Sequence, residues 1–335
     1  MRIDAATPDT AEAQSQGAPS APGNLGARVR DFGVVIALVA IVIALSLSTS
    51  TFLTKPNLIN LLDQGAVLGL LATGATITII SGVFDLTASA TLALSAIAGV
   101  KVTQHAGIPL GLVAAVVTGA LLGLLTGTIV VRSGVNSFIA TLATSIVYRG
   151  MAVAVTGGAI LYPLASQADN FNLFTWPSIF GLTSATVMFI IVVAAIWLMT
   201  STTTFGRRVF AVGGNEEAAR LSGIRTGQIH IAAYVVSGIC SSLAGLILAS
   251  RAGSAQSNMA TGMELTAIAA AVIGGTSILG GEGAIWRGIV GALLLTLIGN
   301  GFNLLGWNTT YQEIVQGCLI LLAVTVDRYL RKRGR

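Results

Sequence analysis

The stretch "IISGVFDLTASATLALSA", from Ile79 to Ala96, is apolar at both ends and carries a single ionisable residue, Asp85. An ionised group inside a lipid bilayer costs about 3 kcal/mol on insertion scales, so a membrane segment tolerates it only where other groups stabilise the charge. We interpret Asp85 as the N-terminal residue of a helix, because backbone N–H groups and the helix dipole favour a negative charge there. The stretch then reads as the end of one membrane helix and the start of the next.

The composition supports a membrane protein. The chain has 335 residues, of which 54% are hydrophobic and 9% are charged, whereas soluble domains are about 25% charged. The net charge of +5 is therefore interpreted as membrane topology and not as a sign of nucleic-acid binding. Cys240 and Cys318 both lie in apolar runs, which predicts neither a disulfide framework nor a metal site.

Apolar segments follow a polar first part of the chain. Residues 1–31 lack apolar periodicity and are predicted to form a disordered cytoplasmic tail. Residues 32–330 are predicted to form one membrane domain, an all-α polytopic fold with about ten transmembrane helices judged against the roughly 20 residues that cross a bilayer. The third and eighth segments are short or interrupted by polar and Gly residues, so we interpret them as broken or re-entrant helices. The ten predicted segments are 33–53, 59–81, 86–105, 108–131, 136–156, 178–200, 227–250, 262–280, 284–305 and 309–327.

The basic residues orient these segments. If the tail is cytoplasmic and the segments alternate, Lys55, Lys101 and Arg251 fall outside and Arg149 falls within a span. The other 14 of the 18 basic residues then fall inside, which predicts an even number of spans with both termini cytoplasmic. This distribution does not separate ten spans from eight or twelve. Within the fourth segment, "GALLGLLTG" repeats Gly every four residues, which predicts close helix packing.

One predicted cytoplasmic connection, at about 201–226, contains the sequence "GNEEAARLSGI". Asn215 is a good N-cap, Glu216 and Glu217 occupy the first turn, and Gly223 stands where a helix ends. A helix of about two turns is marginal alone in water. We therefore expect it to dock on another surface, with a plain solvated connector as the alternative.

The same segment carries a family resemblance. Glu217-Ala218-Ala219 followed by Gly223 resembles the EAA loop of permease subunits in ABC importers, and the chain from about residue 33 resembles the ribose-type sugar permeases. The family usually has Asp-Leu-Ser-Val-Gly where this chain has "DLTAS", so Ser89 replaces the usual Gly. The matching stretches are "GVFDLTASATLALSA", "NSFIATLATSIVYRG", "AVGGNEEAARLSGI", "GMELTAIAAAVIGGTSILGGEGAIWRGIVGALLL" and "YQEIVQGCLILLAV".

The resemblance implies a function and a set of partners. It implies the permease subunit of an ABC importer for a monosaccharide in the bacterial inner membrane. It also implies a separate ATP-binding subunit, a periplasmic or lipid-anchored sugar-binding protein and a second copy of the permease. The residues that would contact the ATP-binding subunit are Gly214, Asn215, Glu216, Glu217, Ala218, Ala219 and Gly223.

Polar residues within the predicted spans are candidates for the transport pathway. Arg149 either pairs with Glu264 or Asp85, or extends its charge to the outer interface. "DLTAS" at 85–89 and "ELTAI" at 264–268 are a possible trace of an internal repeat, a common feature of transporters. The side chains that either face the pathway or bind neighbouring helices are Gln64, Asn136 and Asn303.

Several kinds of chemistry lack their sequence signals. The chain has no Gly-x-x-x-x-Gly-Lys-Ser/Thr phosphate loop, so we expect ATP hydrolysis to belong to a partner chain and not to this one. It also has no Cys/His cluster, and we expect no metal and no cofactor. The alternative function is an ion-coupled secondary transporter, although few ionisable groups lie within the predicted spans.

Overall fold

The computed structural model describes residues 25–172, 177–179, 181–308, 310–312, 314–318, 321 and 325, with side chains from residue 33 and without those of 177–179. Most of this part of the chain is helical. A 3-10 turn at Ala165–Gln167 and a two-stranded hairpin of β1 (Pro177–Ile179) and β2 (Leu182–Thr183) lie between the helices. The helices are α1 (Leu25–Ser48), α2 (Lys55–Ile80), α3 (Ala88–Ala106), α4 (Ile108–Ser133), α5 (Ser137–Thr156), α6 (Ala168–Phe171), α7 (Ser184–Thr202), α8 (Thr204–Gly214), α9 (Glu216–Leu221), α10 (Thr226–Ala252), α11 (Met263–Ile273) and α12 (Ile285–Leu304).

These helices confirm an all-α membrane protein. Among the described residues, six helices are long and apolar enough to cross a membrane: α2, α4, α5, α7, α10 and α12. Helices α1, α3 and α11 overlap the first, third and eighth predicted segments, and the tenth segment, 309–327, lies largely outside the described residues. Helix α1 begins at Leu25, inside the predicted tail, while residues 1–24 lie outside the described part.

The two segments predicted to be interrupted differ from one another. Helix α3 is continuous over 19 residues, so the prediction that it is broken is wrong. Its polar residues are mostly Ser and Thr, which a helix accommodates where it packs against other helices. Helix α11 has 11 residues, about half of what a bilayer requires, and the chain beyond it turns through a glycine-rich loop before α12 begins.

Contacts between segments define two ends of the helix bundle. The N–H of Gly281, in the loop before α12, donates to the carbonyl of Ile80 at the end of α2. A ring nitrogen of His230, near the start of α10, lies 3.0 Å from the carbonyl oxygen of Ser81. Gly213, at the end of α8, packs on the carbonyl of Ile80. We call this the α8–α9 end, and the other end, where α2 begins and α10 finishes, the opposite end.

The packing of α4 on α10 confirms the prediction from the glycine repeat. A β-carbon on Gly119 would lie 2.4 Å from the carbonyl oxygen of Gly238, and one on Gly123 would lie 2.3 Å from that of Tyr234. Any side chain at these positions would collide with backbone atoms, so the two helices approach as closely as their main chains allow.

Candidate functional site

The short helix α9 has the predicted local structure. The Asn215 side chain accepts a hydrogen bond of 2.9 Å from the N–H of Ala218, and Glu216 and Glu217 stand in the first turn. Gly223 has a φ of +83°, a left-handed conformation that glycine adopts without steric strain. The chain can therefore leave α9 sharply and enter α10.

The two faces of α9 differ from what we expected. Ala219 is only 5% exposed and lies in an apolar cluster with Ile77 and Ile80 of α2 and Val209 of α8. The expectation that Ala219 belongs to a docking surface is therefore wrong, because the side chain faces its own chain. Its packing explains why so short a helix is stable.

The outer face of α9 is charged, with one apolar side chain. Arg220 and Glu217 form an ion pair of 2.6 Å with 64% of each side chain exposed, and this hydrogen bond raises the pKa of Arg220 above its usual value. Leu221 is 77% exposed. The side chains on this face that are free to contact another protein are Glu216, Glu217, Ala218, Arg220 and Leu221.

Four glycines pack closely together where α8 meets the end of α2 and the loop before α12. We call these residues, Gly82, Gly213, Gly280 and Gly281, the glycine junction. A β-carbon on Gly213 would lie 1.7 Å from the carbonyl oxygen of Ile80 and 2.7 Å from the N of Gly281. One on Gly280 would lie 2.7 Å from the carbonyl oxygen of Gly213 and 3.1 Å from the Cα of Gly82. The backbones of α2, α8 and the loop before α12 therefore touch without intervening side chains.

Asp85 is buried beside this junction, only 4% exposed. Its Oδ1 accepts bonds from the N–H and the hydroxyl of Thr87, at 2.8 and 2.6 Å, and its Oδ2 accepts one of 2.7 Å from the Ser237 hydroxyl. Asp85 precedes the helix, since α3 begins at Ala88, so its interpretation as the first helical residue needs correction. The carboxylate links the start of α3 to α10.

Arg149 does not form the predicted pair. Its Nη1 donates to the carbonyls of Ser257 and Met259, at 2.7 and 2.8 Å, and its Nη2 donates to the Ser89 hydroxyl at 2.9 Å. Glu264 contributes only a longer-range electrostatic attraction, because carbonyl and hydroxyl groups already occupy the guanidinium. The half-buried side chain reaches the loop between α10 and α11, and its extension to the outer interface stays a prediction.

Two other predicted pathway residues have separate positions. Asn136 is exposed and caps α5 by accepting a bond of 2.9 Å from the N–H of Phe138. Glu264 stands in the first turn of α11, and its buried Oε2 has no hydrogen-bond partner among the described residues. The structure therefore does not bring Asp85, Asn136, Arg149 and Glu264 together in one site.

Sequence reasoning missed a buried carboxylate and a buried pair of amides near the opposite end. Asp63 lies inside the second predicted span and accepts hydrogen bonds from the hydroxyls of Thr183 and of Thr186, the latter at 3.1 Å. An acid in the apolar run "NLLDQG" gives the same signal as Asp85 and could have been found. The amide of Asn57 donates to the Oδ1 of Asn300 at 3.2 Å, and the amide of Asn300 donates to the Oδ1 of Asn57 at 2.8 Å. The two residues are 243 positions apart in the chain, so no local sequence pattern predicts this pair.

A polar cavity of about 420 Å³ opens at the opposite end, between α2, α10, α11, α12 and the described residues after α12. Two of its polar side chains, Gln64 and Asn303, are residues that the sequence singled out. No cluster of three His, Cys, Asp or Glu side chains that could bind a metal occurs in the part of the chain that was described. The polar residues that line the cavity are Gln64, Arg251, Thr266, Thr296, Asn303, Gln312 and Gln316.

Comparison with known sequences identifies the family. Residues 57–324 match the family described as "Branched-chain amino acid transport system / permease component". The chain belongs to this permease family. It is also 40% identical over 304 residues to the ribose import permease protein RbsC of Bacillus subtilis, covering 90% of this chain and 93% of that protein.

Two further relatives of this permease are named for ribose and for D-allose. It is 40% identical over 297 residues to RbsC of Escherichia coli K12, covering 88% of this chain and 92% of that protein. It is 33% identical over 327 residues to the D-allose transport system permease protein AlsC of the same organism, covering 96% and 99%. No solved structure gives a significant match.

Proposed function

We propose that this permease is the membrane-spanning subunit of an ABC importer that carries a monosaccharide across the bacterial inner membrane. The observation that carries the proposal is the identity of 40% to ribose import permeases over about nine-tenths of the chain. Relatives named for D-allose and L-arabinose, at 33% identity, support a monosaccharide as the class of substrate.

The proposed topology has ten transmembrane helices, with the α8–α9 end and both termini in the cytoplasm. The exposed basic residues support this orientation, because cytoplasmic loops of membrane proteins are enriched in Lys and Arg. The opposite end carries Lys55, Lys101 and Arg251. The exposed arginines at or near the α8–α9 end are Arg132, Arg207, Arg208, Arg220 and Arg225.

The outer face of α9 is the proposed contact with a separate ATP-binding subunit. Leu221 supplies an apolar anchor, and Glu217 and Arg220 surround it with charge. Ala219 holds the helix on the bundle, so a displacement of α9 is also a displacement of α8. The glycine junction then passes that displacement to α2 and the loop before α12.

The transport cycle requires two further partners. A periplasmic or lipid-anchored binding protein delivers sugar to the opposite end, and a second permease completes a homodimer. ATP binding shifts the permease between outward-facing and inward-facing states only if the ATP-bound subunit prefers one of them. The exposed face of α9 is where that preference acts on this chain.

Reconstitution tests the function. The permease is assembled in liposomes with an ATP-binding subunit and a sugar-binding protein that co-purify with it, and uptake of radiolabelled D-ribose, D-allose and L-arabinose is measured with and without ATP. We expect uptake of at least one sugar only when ATP is present. Uptake driven by an ion gradient without ATP would contradict the proposal and support an ion-coupled secondary transporter.

Substitutions on α9 test the coupling role separately. We expect Leu221→Glu and Ala218→Arg to leave the melting temperature unchanged, since both side chains are exposed, and to reduce both co-purification of the ATP-binding subunit and ATP hydrolysis. Gln228→Arg, at an exposed position outside α9, is the matched control. Wild-type co-purification and hydrolysis in both α9 variants would show that α9 is only a connector.

A further inference from the structure

We propose that the polar cavity at the opposite end is a transit site for a neutral monosaccharide within a single copy of the permease. This inference rests on the proposed function. The cavity volume of about 420 Å³ lies within the range of about 300–1,000 Å³ that is typical of small-molecule sites. Its walls combine apolar side chains such as Leu68 and Leu295 with polar side chains that converge on the same space.

The amide groups of the cavity are available to a ligand. Within the part of the chain that the structure describes, the side chains of Asn303, Gln312 and Gln316 have no hydrogen-bond partner. Asn303 is exposed and Gln312 and Gln316 are half-buried, so all three amides are accessible to water or to a ligand that enters the cavity. Amides both donate and accept hydrogen bonds, as the hydroxyl groups of a sugar do.

A second set of polar groups is already held in position. The Arg251 Nη2 donates a bond of 2.7 Å to the Asn60 Oδ1, and the Gln64 Nε2 donates one of 3.2 Å to the same atom. Asn60 therefore aligns two cavity side chains that belong to α10 and α2. Such a fixed set beside three adaptable amides is the arrangement that orients a small polar ligand in a mainly apolar pocket.

The charges around the cavity favour a neutral ligand. Arg251 interacts electrostatically with Asp63, so its positive charge does not require an anion. The N-terminus of α11 borders the cavity through Met263 and Thr266, and its helix dipole is matched by Glu264 in the first turn. Among the described residues that line the cavity, Arg251 is the only charged one, and Asp63 already compensates it, so an uncharged polyhydroxyl compound fits there without leaving a charge unpaired.

The position of the cavity suits an early step of import. Gln64 precedes Ile80 by 16 residues on α2, which is about 24 Å along a helix. The cavity therefore lies far from the glycine junction and near the end that receives the sugar-binding protein in the proposed orientation. Half-length helices such as α11 commonly border substrate sites in transporters, because a broken membrane helix is stable only beside a polar cavity.

Cysteine protection tests the site directly. Gln316→Cys is introduced together with Cys318→Ser, which removes the exposed native thiol, while Cys240 stays because it is buried. The full complex without nucleotide is treated with a maleimide in the presence of D-ribose, D-allose or L-arabinose, and the labelling rate is measured. We expect a transported sugar to slow labelling at Gln316→Cys, and Gln64→Cys serves as a second reporter on α2.

A further substitution links protection to the cavity. We expect Asn303→Leu to raise the sugar concentration for half-protection about three- to tenfold, as the loss of one neutral hydrogen bond predicts. Gln228→Leu, at an exposed position near the α8–α9 end, should leave it unchanged. Co-purification of the ATP-binding subunit and an unchanged melting temperature verify folding and assembly in every variant, and Gln228→Leu should also keep the wild-type rate of ATP hydrolysis.

The outcomes separate the two proposals. If the wild-type complex imports sugar with ATP but no sugar slows labelling of Gln316→Cys or Gln64→Cys, the cavity proposal is overturned and the proposed function stands. Equal half-protection in Asn303→Leu and Gln228→Leu likewise overturns it. A wild-type complex that hydrolyses ATP but imports none of the three sugars overturns the proposed function, and the cavity proposal with it.

Discussion

The two ends of α2 are packed in opposite ways. At its C-terminus, the backbone of Ile80 touches Gly213 and Gly281 with no side chain between them. Toward its N-terminus, the same helix borders a cavity of about 420 Å³ through Gln64 and Leu68. One helix therefore joins a region with no free space to a region that retains space for a ligand.

The two ends of α2 therefore differ in what they can do: the tightly packed end can pass on a movement, and the end beside the cavity can take up a ligand. Close-packed interiors have low compressibility and pass strain to their neighbours, so the glycine junction is suited to move α2, α8 and the loop before α12 together. A cavity lined by adaptable amides absorbs small changes in shape instead. The following substitutions test this contrast, from the largest expected effect to the smallest.

Gly213→Ala tests the glycine junction and should have the largest effect. Its new methyl group would lie 1.7 Å from the carbonyl oxygen of Ile80, so α8 must move away from α2. We expect the melting temperature and the yield of purified protein to fall sharply, with a loss of about 3 kcal/mol or more in stability. Gly214→Ala is the control, because a β-carbon there would meet no described atom within 4 Å apart from its own helix and its chain neighbours. Equal melting temperatures for the two variants would show that the junction is loose.

Arg149→Ala tests the tie between α5 and the segment before α11. The substitution removes three hydrogen bonds from a charged group to Ser89, Ser257 and Met259, and we expect a stability loss of about 3 kcal/mol, since such bonds contribute 1.5–3 kcal/mol each and are not additive. Thermal unfolding in detergent measures this loss. The double variant Arg149→Ala with Glu264→Gln should be no more stable than Arg149→Ala alone. A more stable double variant would show that Arg149 and Glu264 form an ion pair. Arg132→Ala, at an exposed arginine of α4, is the control.

Asn57→Leu tests the buried amide pair at the opposite end. The substitution leaves Asn300 without its partner, and we expect a loss of about 1–3 kcal/mol, the penalty for an unsatisfied buried polar group. The double variant Asn57→Leu with Asn300→Leu should be less destabilised than the sum of the single variants, because neither amide is then orphaned. Additive losses in a thermal-unfolding cycle would contradict this coupling.

Ser89→Ala tests the residue that departs from the family pattern. Ser89 supplies a hydroxyl to Arg149 at 2.9 Å, so its removal should lower stability by about 1.5 kcal/mol. In the background of Arg149→Ala the same substitution should have almost no effect. A full effect in both backgrounds, measured by melting temperature, would mean that the hydroxyl acts elsewhere.

Asn215→Ala should have the smallest effect. It removes the side-chain acceptor for the N–H of Ala218, and loss of an N-cap costs about 1 kcal/mol. Because α9 is held by Ala219 as well, we expect ATP-binding-subunit co-purification to fall only slightly while the melting temperature changes little. Asn215→Asp should retain the cap and behave as wild type. Complete loss of co-purification in Asn215→Ala would show that the cap itself contacts the partner.

Local sequence signals predicted what local physics determines. Apolar length gave the positions of the long helices, the cap chemistry of Asn215 gave the start of α9, and the spacing of Gly119 and Gly123 gave the contact with α10. The orientation of Ala219 was not predictable in this way, since Ala218 and Ala219 are the same residue type and only Ala219 is buried. Its burial depends on α2 and α8, which lie elsewhere in the chain.

Long-range pairings set the limit of the sequence analysis. Arg149 binds main-chain carbonyls, and because every residue carries one, no side-chain pattern marks the right ones. The glycine junction assembles positions near 82, 213 and 280, and Asn57 meets Asn300 across 243 residues. Asp63 is different, since its acid in an apolar run was visible from the start.

The contact between α4 and α10 has a consequence for the order of synthesis. Gly119 and Gly238, which touch through their backbones, are separated by 119 residues (238 − 119), or about 6–24 s of translation at 5–20 residues per second. During that interval the glycine face of α4 has no α10 to cover it. A ribosome that stalls before residue 226 therefore leaves a membrane helix whose packing surface stays open to other proteins, and the bundle can close only after α10 has been inserted.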